Sequence, residues 1–212
     1  MDGITNNKRK AIIATNNNMK FNEIKGLLTK FDCISLQELE CKINEETIDS
    51  KESIQNRALQ KAEMFSKYFN EICLADKAML QIEKLNGWPG NVCDGCFDLI
   101  GDCLVDLTLE LLGNYKKRNA IFTVATAIYY PNGKNIVIFT ETLEGKITGE
   151  ARGTNGLGFD KIFELSNNHY SRFNGKTLAE LTNEEKKLVS PMRKAYKKVS
   201  DMANITLPYR YI

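Results

Sequence analysis

Residues 10–20 read KAIIATNNNMK, a short apolar run followed by a polar turn that contains three asparagines. The run Lys10–Ala14 predicts a short buried strand, and Asn18 is a candidate cap for a helix from Met19 to about Thr29. A strand that passes through a tight turn into a helix is typical of an α/β protein. We therefore expect the first helix to begin directly at the carboxyl end of the first strand.

The turn between this strand and this helix suits a phosphate group. A helix N-terminus presents free backbone N–H groups and the positive end of the helix dipole. Thr15 and Asn17 add side-chain donors, and Lys20 adds a mobile positive charge. The turn contains no glycine, which excludes a Walker loop and a dinucleotide fingerprint. From these residues alone, phosphate binding and an ordinary capped turn with an exposed lysine both stay open.

The rest of the chain alternates between helical and strand periodicity. Two helices are predicted over Glu52–Phe69 and Phe97–Leu112, and a last long helix is interrupted by Pro191. Strands are predicted over Ile72–Ala75, Ala120–Tyr130 and Asn135–Leu143. The last two strands read as a hairpin because a Pro-Asn-Gly turn joins them. We expect an α/β fold in which helices flank a mixed sheet.

The composition indicates a soluble globular protein. The chain has 212 residues, 42% of them hydrophobic, and its 29 basic and 27 acidic side chains give a formal charge of +2. This length suits one domain over residues 1–212. The basic residues are not concentrated in one block, which argues against nucleic acid, and no stretch predicts a membrane span. Six cysteines without a secretion signal favour the cytoplasm.

Acidic residues near the ends of predicted strands are candidate metal ligands. Asp76 follows the strand Ile72–Ala75, and ligands of open α/β sheets gather at the carboxyl ends of strands. A carboxylate there can hold Mg²⁺ against a phosphate chain. Glu45 and Glu46 could supply a second oxygen ligand, although ordinary solvated loop acids are the more frequent reading of such a pair.

The segment Gly153–Asp160 packs three glycines around one aromatic and one acidic residue. Such a loop lets the backbone approach a planar ligand, on which Phe159 could stack while Asp160 accepts hydrogen bonds. A tight turn between strands is the simpler interpretation. The basic residues Lys186 and Arg193 of the last helix read by default as a solvated face.

Taken together, five segments resemble the inosine triphosphate pyrophosphatase family, also called the Ham1 family, in the family's order and at similar spacing. The matching residues are Ala14, Thr15, Asn17, Lys20 and Glu23; Glu45, Glu46, Lys61 and Ala62; Leu85, Gly87, Pro89 and Gly90; Gly153, Gly156, Gly158, Phe159, Asp160 and Phe163; and Thr177, Ala179, Glu180, Leu181, Glu185 and Lys186. The likeness runs from about Lys10 to Tyr196.

This resemblance implies an elongated α/β protein with a long mixed sheet, two lobes and a central nucleotide cleft, usually a homodimer. Family members use Mg²⁺ to split a nucleoside triphosphate into the monophosphate and pyrophosphate, and they prefer inosine, xanthosine and their deoxy forms. The implied roles are phosphate binding by Thr15, Asn17, Lys20 and Lys186, metal binding by Glu46 and Asp76, and contact with the base or ribose by Phe159, Asp160, Ser190 and Arg193.

The chain departs from the family pattern at four places. Two of them are Leu157, where the family has its first stacking aromatic, and Cys93-Asp94-Gly95, where Ser-Ala-Arg is expected after Pro89-Gly90. The other two concern catalysis and recognition of the base. Where the family has an acidic pair at the end of the second strand, this chain has Asp76-Lys77. A protonated lysine cannot accept a proton from water. Asp76 could take over the catalytic role, or Lys77 could serve as the base if it were deprotonated. Alternatively, Lys77 binds phosphate in a site that binds nucleotide without turnover. The usual Ser-His-Arg is replaced by Ser190-Pro191-Met192-Arg193, which shifts the arginine by one position. A scaffold with an empty cleft is the third possibility.

Overall fold

The computed structural model describes residues 8–41, 43, 52–91, 93–133, 136–156, 158–166 and 168–202, without the side chains of 93–102 and 168–170. Within these ranges the chain forms seven strands and five α-helices. In the part of the chain that is described, no helix is both long enough and apolar enough to cross a membrane.

The seven strands form one mixed sheet. They are β1 Arg9–Ile13, β2 Phe31–Ser35, β3 Ile72–Ile82, β4 Pro89–Gly90, β5 Asn119–Tyr129, β6 Ile136–Ile147 and β7 Phe163–Leu165. The strand order is β2-β1-β3-β5-β6-β7, and β4 pairs with β3. β1 is parallel to β2 and β3, whereas β4 is antiparallel to β3 and β7 is antiparallel to β6. The predicted mixed α/β fold is confirmed.

The helices are α1 Asn18–Leu27, α2 Ile54–Phe69, α3 Cys93–Leu112, α4 Asn183–Val189 and α5 Pro191–Met202. A capping box between Thr182 and Glu185 begins α4, and each side chain accepts a hydrogen bond from the other residue's backbone N–H. Pro191 is the first residue of α5, where the absence of a backbone N–H costs no helical hydrogen bond. The prediction that Pro191 divides the last helix is confirmed.

Two local predictions are wrong. Asn17, not Asn18, caps α1: its backbone is extended, and its side chain accepts a hydrogen bond from the Lys20 N–H. Asp76 does not end a strand, because β3 continues to Ile82. The continuation is stabilised by β5, the neighbour of β3 in the sheet, and by burial of apolar β3 residues beyond Asp76, of which Leu80 is fully buried.

The chain divides into two compact units, each with its own apolar core. Unit 1 comprises the described parts of Met1–Asp76, Ala125–Thr140 and Met192–Ile212, and unit 2 comprises those of Lys77–Val124 and Glu141–Pro191. In unit 1, apolar residues of β1, α1 and α5 pack together, and in unit 2 those of α3 pack with β6, β7 and the segments that follow β6. The assignment of residues 1–212 to a single domain stays a prediction.

Candidate functional site

The turn that leads from β1 into α1 is held by its own side chains. The Thr15 hydroxyl accepts a hydrogen bond from the Asn17 N–H at 3.2 Å, and Asn17 Oδ1 accepts one from the Lys20 N–H at 3.0 Å. Both side chains therefore accept hydrogen bonds from backbone N–H groups that would otherwise be available to bind an anion. These two side chains fix the residue at which α1 begins, and they place Lys20 in its first turn.

Lys20 forms an ion pair with Asp76. The distance from Lys20 Nζ to Asp76 Oδ2 is 2.6 Å, and the Asp76 side chain is only 4% exposed whereas that of Lys20 is 30% exposed. The register of the sheet brings Lys20 close to Asp76, because Ile13 at the end of β1 pairs with Leu74 of the parallel strand β3. The turn after β1 therefore lies beside the β3 residues that follow Leu74.

Tyr196 of α5 completes the environment of this carboxylate. Its hydroxyl donates a hydrogen bond to Asp76 Oδ1 at 2.8 Å, so each carboxylate oxygen has a partner. Burial alone would raise the pKa of Asp76, but the positive charges of Lys20 and Lys61 and the hydrogen bonds from Lys20 and Tyr196 hold that pKa below its ordinary value. Asp76 is therefore ionised at neutral pH.

Tyr196 is a hydrogen-bond donor that sequence reasoning missed. The residue is fully buried. Burial, together with the negative charge of Asp76, raises its pKa well above the ordinary tyrosine value, so the hydroxyl keeps its proton. The residue shares the apolar face of α5 with Ala195 and Val199, and this periodicity predicts a core residue rather than a partner for a carboxylate. The signal available in the sequence was the residue type. A tyrosine at a core position of a helix buries its hydroxyl, and a buried hydroxyl needs a hydrogen-bond partner.

Arg193, predicted to bind the base, pairs with an acidic side chain of α1. Its Nε lies 2.5 Å from Glu23 Oε1, and both side chains belong to unit 1. Met192 stands at the position where the family pattern has arginine, and it packs against the core of unit 1. The guanidinium group is thus engaged with Glu23, and its contact with a base stays a prediction.

In unit 2 the glycine-rich segment brings Asp160 to Lys186. The Lys186 ammonium donates to Asp160 Oδ2 at 2.8 Å. Gly156 permits this approach, since a Cβ at that position would lie 2.4 Å from Asp160 Oδ2. Phe159 is only 7% exposed and belongs to the core of unit 2, so little of its ring faces solvent. Ser190 ends α4, and its backbone N–H donates to the Lys186 carbonyl.

Lys77 is buried in β3, with 7% of the residue exposed. Consecutive residues of a strand direct their side chains to opposite faces of the sheet, so Lys77 and Asp76 belong to different faces of β3. Glu46, the other predicted metal ligand, lies outside the described residues. Among the residues that are described, no three His, Cys, Asp or Glu side chains are grouped as they would be in a preformed metal site.

Comparison with known proteins identifies the family. The sequence model of the Ham1 family matches residues 11–202, nearly the whole chain. This chain belongs to the Ham1 family. The resemblance predicted from the five sequence segments is therefore confirmed.

Relatives in the Ham1 family include named enzymes. The chain is 32% identical over 201 residues to a dITP/XTP pyrophosphatase of Bacillus cereus, covering 92% of this chain and 95% of the relative. It is 33% identical over 186 residues to a dITP/XTP pyrophosphatase of Methanosarcina mazei, covering 88% of this chain and 92% of the relative. These names agree with the predicted enzyme class.

Solved Ham1 structures share the fold. A HAM1 protein from Coxiella burnetii superposes with a TM-score of 0.78 at 27% identity, covering 93% of this chain and 99% of that one. The Ham1 protein of Staphylococcus aureus gives a TM-score of 0.76 at 25% identity, covering 92% of this chain and 98% of that one. The likeness to the Ham1 fold therefore extends over more than nine-tenths of the chain rather than over one motif.

Proposed function

We propose that this chain hydrolyses a nucleoside triphosphate to the monophosphate and pyrophosphate, acting on unusual purine nucleotides such as those of inosine, xanthosine and deoxyinosine. The ion pair of Lys20 with the buried Asp76 at the start of α1 carries the proposal. The relatives named dITP/XTP pyrophosphatase, at 32% and 33% identity, support both the reaction and the substrate class.

The start of α1 provides positive charge for the phosphate chain. Lys20 keeps 30% of its side chain exposed while it pairs with Asp76, so its ammonium group can meet a phosphate oxygen without a large movement. The positive end of the α1 dipole adds to this charge. Thr15 and Asn17 hold the turn in place, and Lys186 is proposed as a further phosphate ligand by its place in the family pattern.

The residues present fit a requirement for Mg²⁺. This cation is usually held by one or two carboxylates together with substrate phosphates and water, and Asp76 supplies one ionised carboxylate. Glu46 is the proposed second ligand. When bound, Mg²⁺ supplies Lewis-acid stabilisation of the charge that develops on the phosphate oxygens. Tyr196 and Lys20 keep the Asp76 carboxylate ionised, and because both of its oxygens already have partners, a cation would have to share Oδ2 with the Lys20 ammonium or displace it.

A second candidate function is nucleotide binding without turnover. It is favoured by Lys77, which stands where the family places its second acidic residue and which is buried in β3. If Asp76 takes over as the proton acceptor, its low pKa makes it a weak base, so we expect slow hydrolysis. The two functions differ in turnover but share the binding site.

A panel of triphosphates distinguishes the two functions. We would incubate the protein with Mg²⁺ and dITP, XTP, ITP, ATP or GTP, and record both pyrophosphate release and the shift in melting temperature. Release from dITP, XTP or ITP is the expected result. A thermal shift without release would favour the binding function, and Lys77→Asp should then restore hydrolysis. Neither release nor shift with any nucleotide would contradict both.

Lys20→Ala tests the residue that carries the proposal. We expect kcat/KM for dITP to fall by about 10²–10³-fold, the typical cost of removing one charge-stabilising donor. Lys30→Ala is the matched control, because it removes an exposed lysine just beyond the same helix. Equal activity of both variants would show that the ion pair with Asp76 is only structural.

We also propose a homodimer and a cytoplasmic location. Leu107 and Leu111 lie one helical turn apart on α3, and they are 42% and 45% exposed, which supports a contact between subunits. Leu107→Glu should then yield a monomer in sedimentation experiments, and an unchanged mass would exclude this face. Among the described residues, Cys33, Cys41, Cys73 and Cys103 form no disulfide, which is in keeping with a reducing compartment.

A further inference from the structure

Unit 2 contains a cavity of about 510 Å³ beside the end of β6. Six charged residues line it: the cations Lys116, Arg118, Lys146 and Arg152, and the acids Glu150 and Glu164. None of the residues proposed above to bind nucleotide or Mg²⁺ is part of this lining. Its volume is within the range of small-molecule sites, and six of its nine lining residues are charged.

The acids of the cavity are too few to neutralise its cations. Glu164 accepts from two of them, with Oε1 2.9 Å from Lys146 Nζ and Oε2 2.8 Å from an Arg152 nitrogen. Both oxygens of this carboxylate are therefore in use. Glu150 is the only other acid of the lining, and Glu180, which lies outside the lining, is 3.6 Å from an Arg152 nitrogen. The four cations therefore still exceed these three acids by one formal charge.

The side of the cavity formed by the segment before β5 carries further donors. Both terminal nitrogens of Arg118 lie 3.4 Å from the Gly113 carbonyl, which is long for an N–H···O hydrogen bond. Lys116 is exposed, and no ion-pair partner for it exists among the residues that the structure describes. A guanidinium fork and an ammonium group are thus available on this side, facing the same space as Lys146.

The backbone around these donors is ordered by hydrogen bonds. The Ile147 N–H donates to the Arg118 carbonyl at 2.8 Å, which ties the segment before β5 to the end of β6. The Thr148 N–H donates to the Ile162 carbonyl at 2.8 Å, and its hydroxyl donates to the Glu150 carbonyl at 2.6 Å. Because these bonds fix the walls, binding need not first order the cavity.

We propose that this cavity binds a small phosphate-type anion: orthophosphate, pyrophosphate or a phosphomonoester. An anion would be attracted by the excess positive charge, and tetrahedral oxygens match the donors of Arg118 and Lys116. The donors converge from the segment before β5 and from the end of β6. This inference does not depend on the proposed function, since the site shares no residue with it.

The test is a titration of the full chain with orthophosphate and pyrophosphate at constant ionic strength, followed by calorimetry and by backbone amide NMR. We expect saturable binding, with the largest amide shifts in residues 146–152. Lys116→Ala with Arg118→Ala should weaken binding by roughly tenfold or more, because hydrogen bonds to charged groups are lost. The control Lys117→Ala removes a neighbouring exposed lysine that is not part of the lining.

Three results would overturn the proposal. One is the absence of saturable binding to the unmodified chain. Another is equal weakening by Lys117→Ala, which would indicate only general electrostatic attraction. The third is a set of amide shifts confined to residues 15–20, which would place the anion at α1. Melting curves without ligand check that each variant is folded. Titrations with a nucleoside monophosphate and with pyrophosphate show which phosphate source is preferred.

Discussion

Replacing Tyr196 by phenylalanine removes one hydrogen bond from the buried carboxylate of Asp76 and changes little else. The bond is 2.8 Å long, the tyrosine is fully buried, and the phenylalanine ring fills the same space. A hydrogen bond to a charged group contributes about 1.5–3 kcal/mol to stability. For a chain of this length, that loss corresponds to a fall in melting temperature of roughly 3–12 °C at pH 7.

The effect of Tyr196→Phe should depend on pH. The folded-state pKa of Asp76 lies below its unfolded value, so the stabilisation from its charge is present above the unfolded pKa, near 3.9. It is lost as the pH falls through the lower folded-state pKa. Since the tyrosine stabilises the ionised carboxylate, the difference between variant and parent should be largest at pH 7 and shrink in acid.

Denaturant unfolding of parent and variant, at pH 7 and at several values below 4, measures this difference. Tyr68→Phe serves as the control, because Tyr68 is 69% exposed and loses only a solvated hydroxyl. Equal stability of Tyr196→Phe and the parent at pH 7 would refute the reasoning. A stability loss that stays constant down to the lowest pH would also refute it, because the cause would then be packing.

Two further predictions concern unit 2 and the cysteines. Gly156→Ala should lower the free energy of unfolding by about 1–3 kcal/mol, because its Cβ would come within 2.4 Å of Asp160 Oδ2 at a φ of +150°. Gly149→Ala, which meets no atom within 4 Å, should cost little in the same denaturant titration. Burial raises the pKa of the Cys33 thiol to about 11, so at pH 8 iodoacetamide should modify the exposed Cys103 well before Cys33. Mass spectrometry of the labelled peptides checks the order, and equal rates in the native protein would contradict it.

Local patterns predicted much of the secondary structure correctly. The β1–turn–α1 opening, the division of the last helix at Pro191 and the two long strands β5 and β6 follow from apolar periodicity and from turn and capping residues. These features depend on interactions between residues close in sequence, which a single sequence displays directly. The two errors, at the α1 cap and at the end of β3, concern element boundaries, where neighbouring structure decides which residue is last.

The partners of the site residues were not predictable in the same way. Tyr196 reaches Asp76 across 120 positions of sequence, and Arg193 meets Glu23 although the family pattern predicts a base contact. Phe159 lies in the core of unit 2, where periodicity could not distinguish it from an exposed stacking residue. Each outcome depends on which elements pack together, and that information is not local.

By itself, the sequence determined the family, the strand–turn–helix opening with a lysine at the start of α1, and the helices and strands of clear apolar periodicity, such as α2, β5 and β6. Only the tertiary structure decided that Lys20 and Asp76 form an ion pair with Tyr196 as the second partner. It also decided that the charged residues flanking β5 and β6 line one cavity. The physical reason is that hydrogen bonding and Coulomb attraction act over a few ångströms, and only sheet register and the packing of helices bring residues distant in sequence within that range.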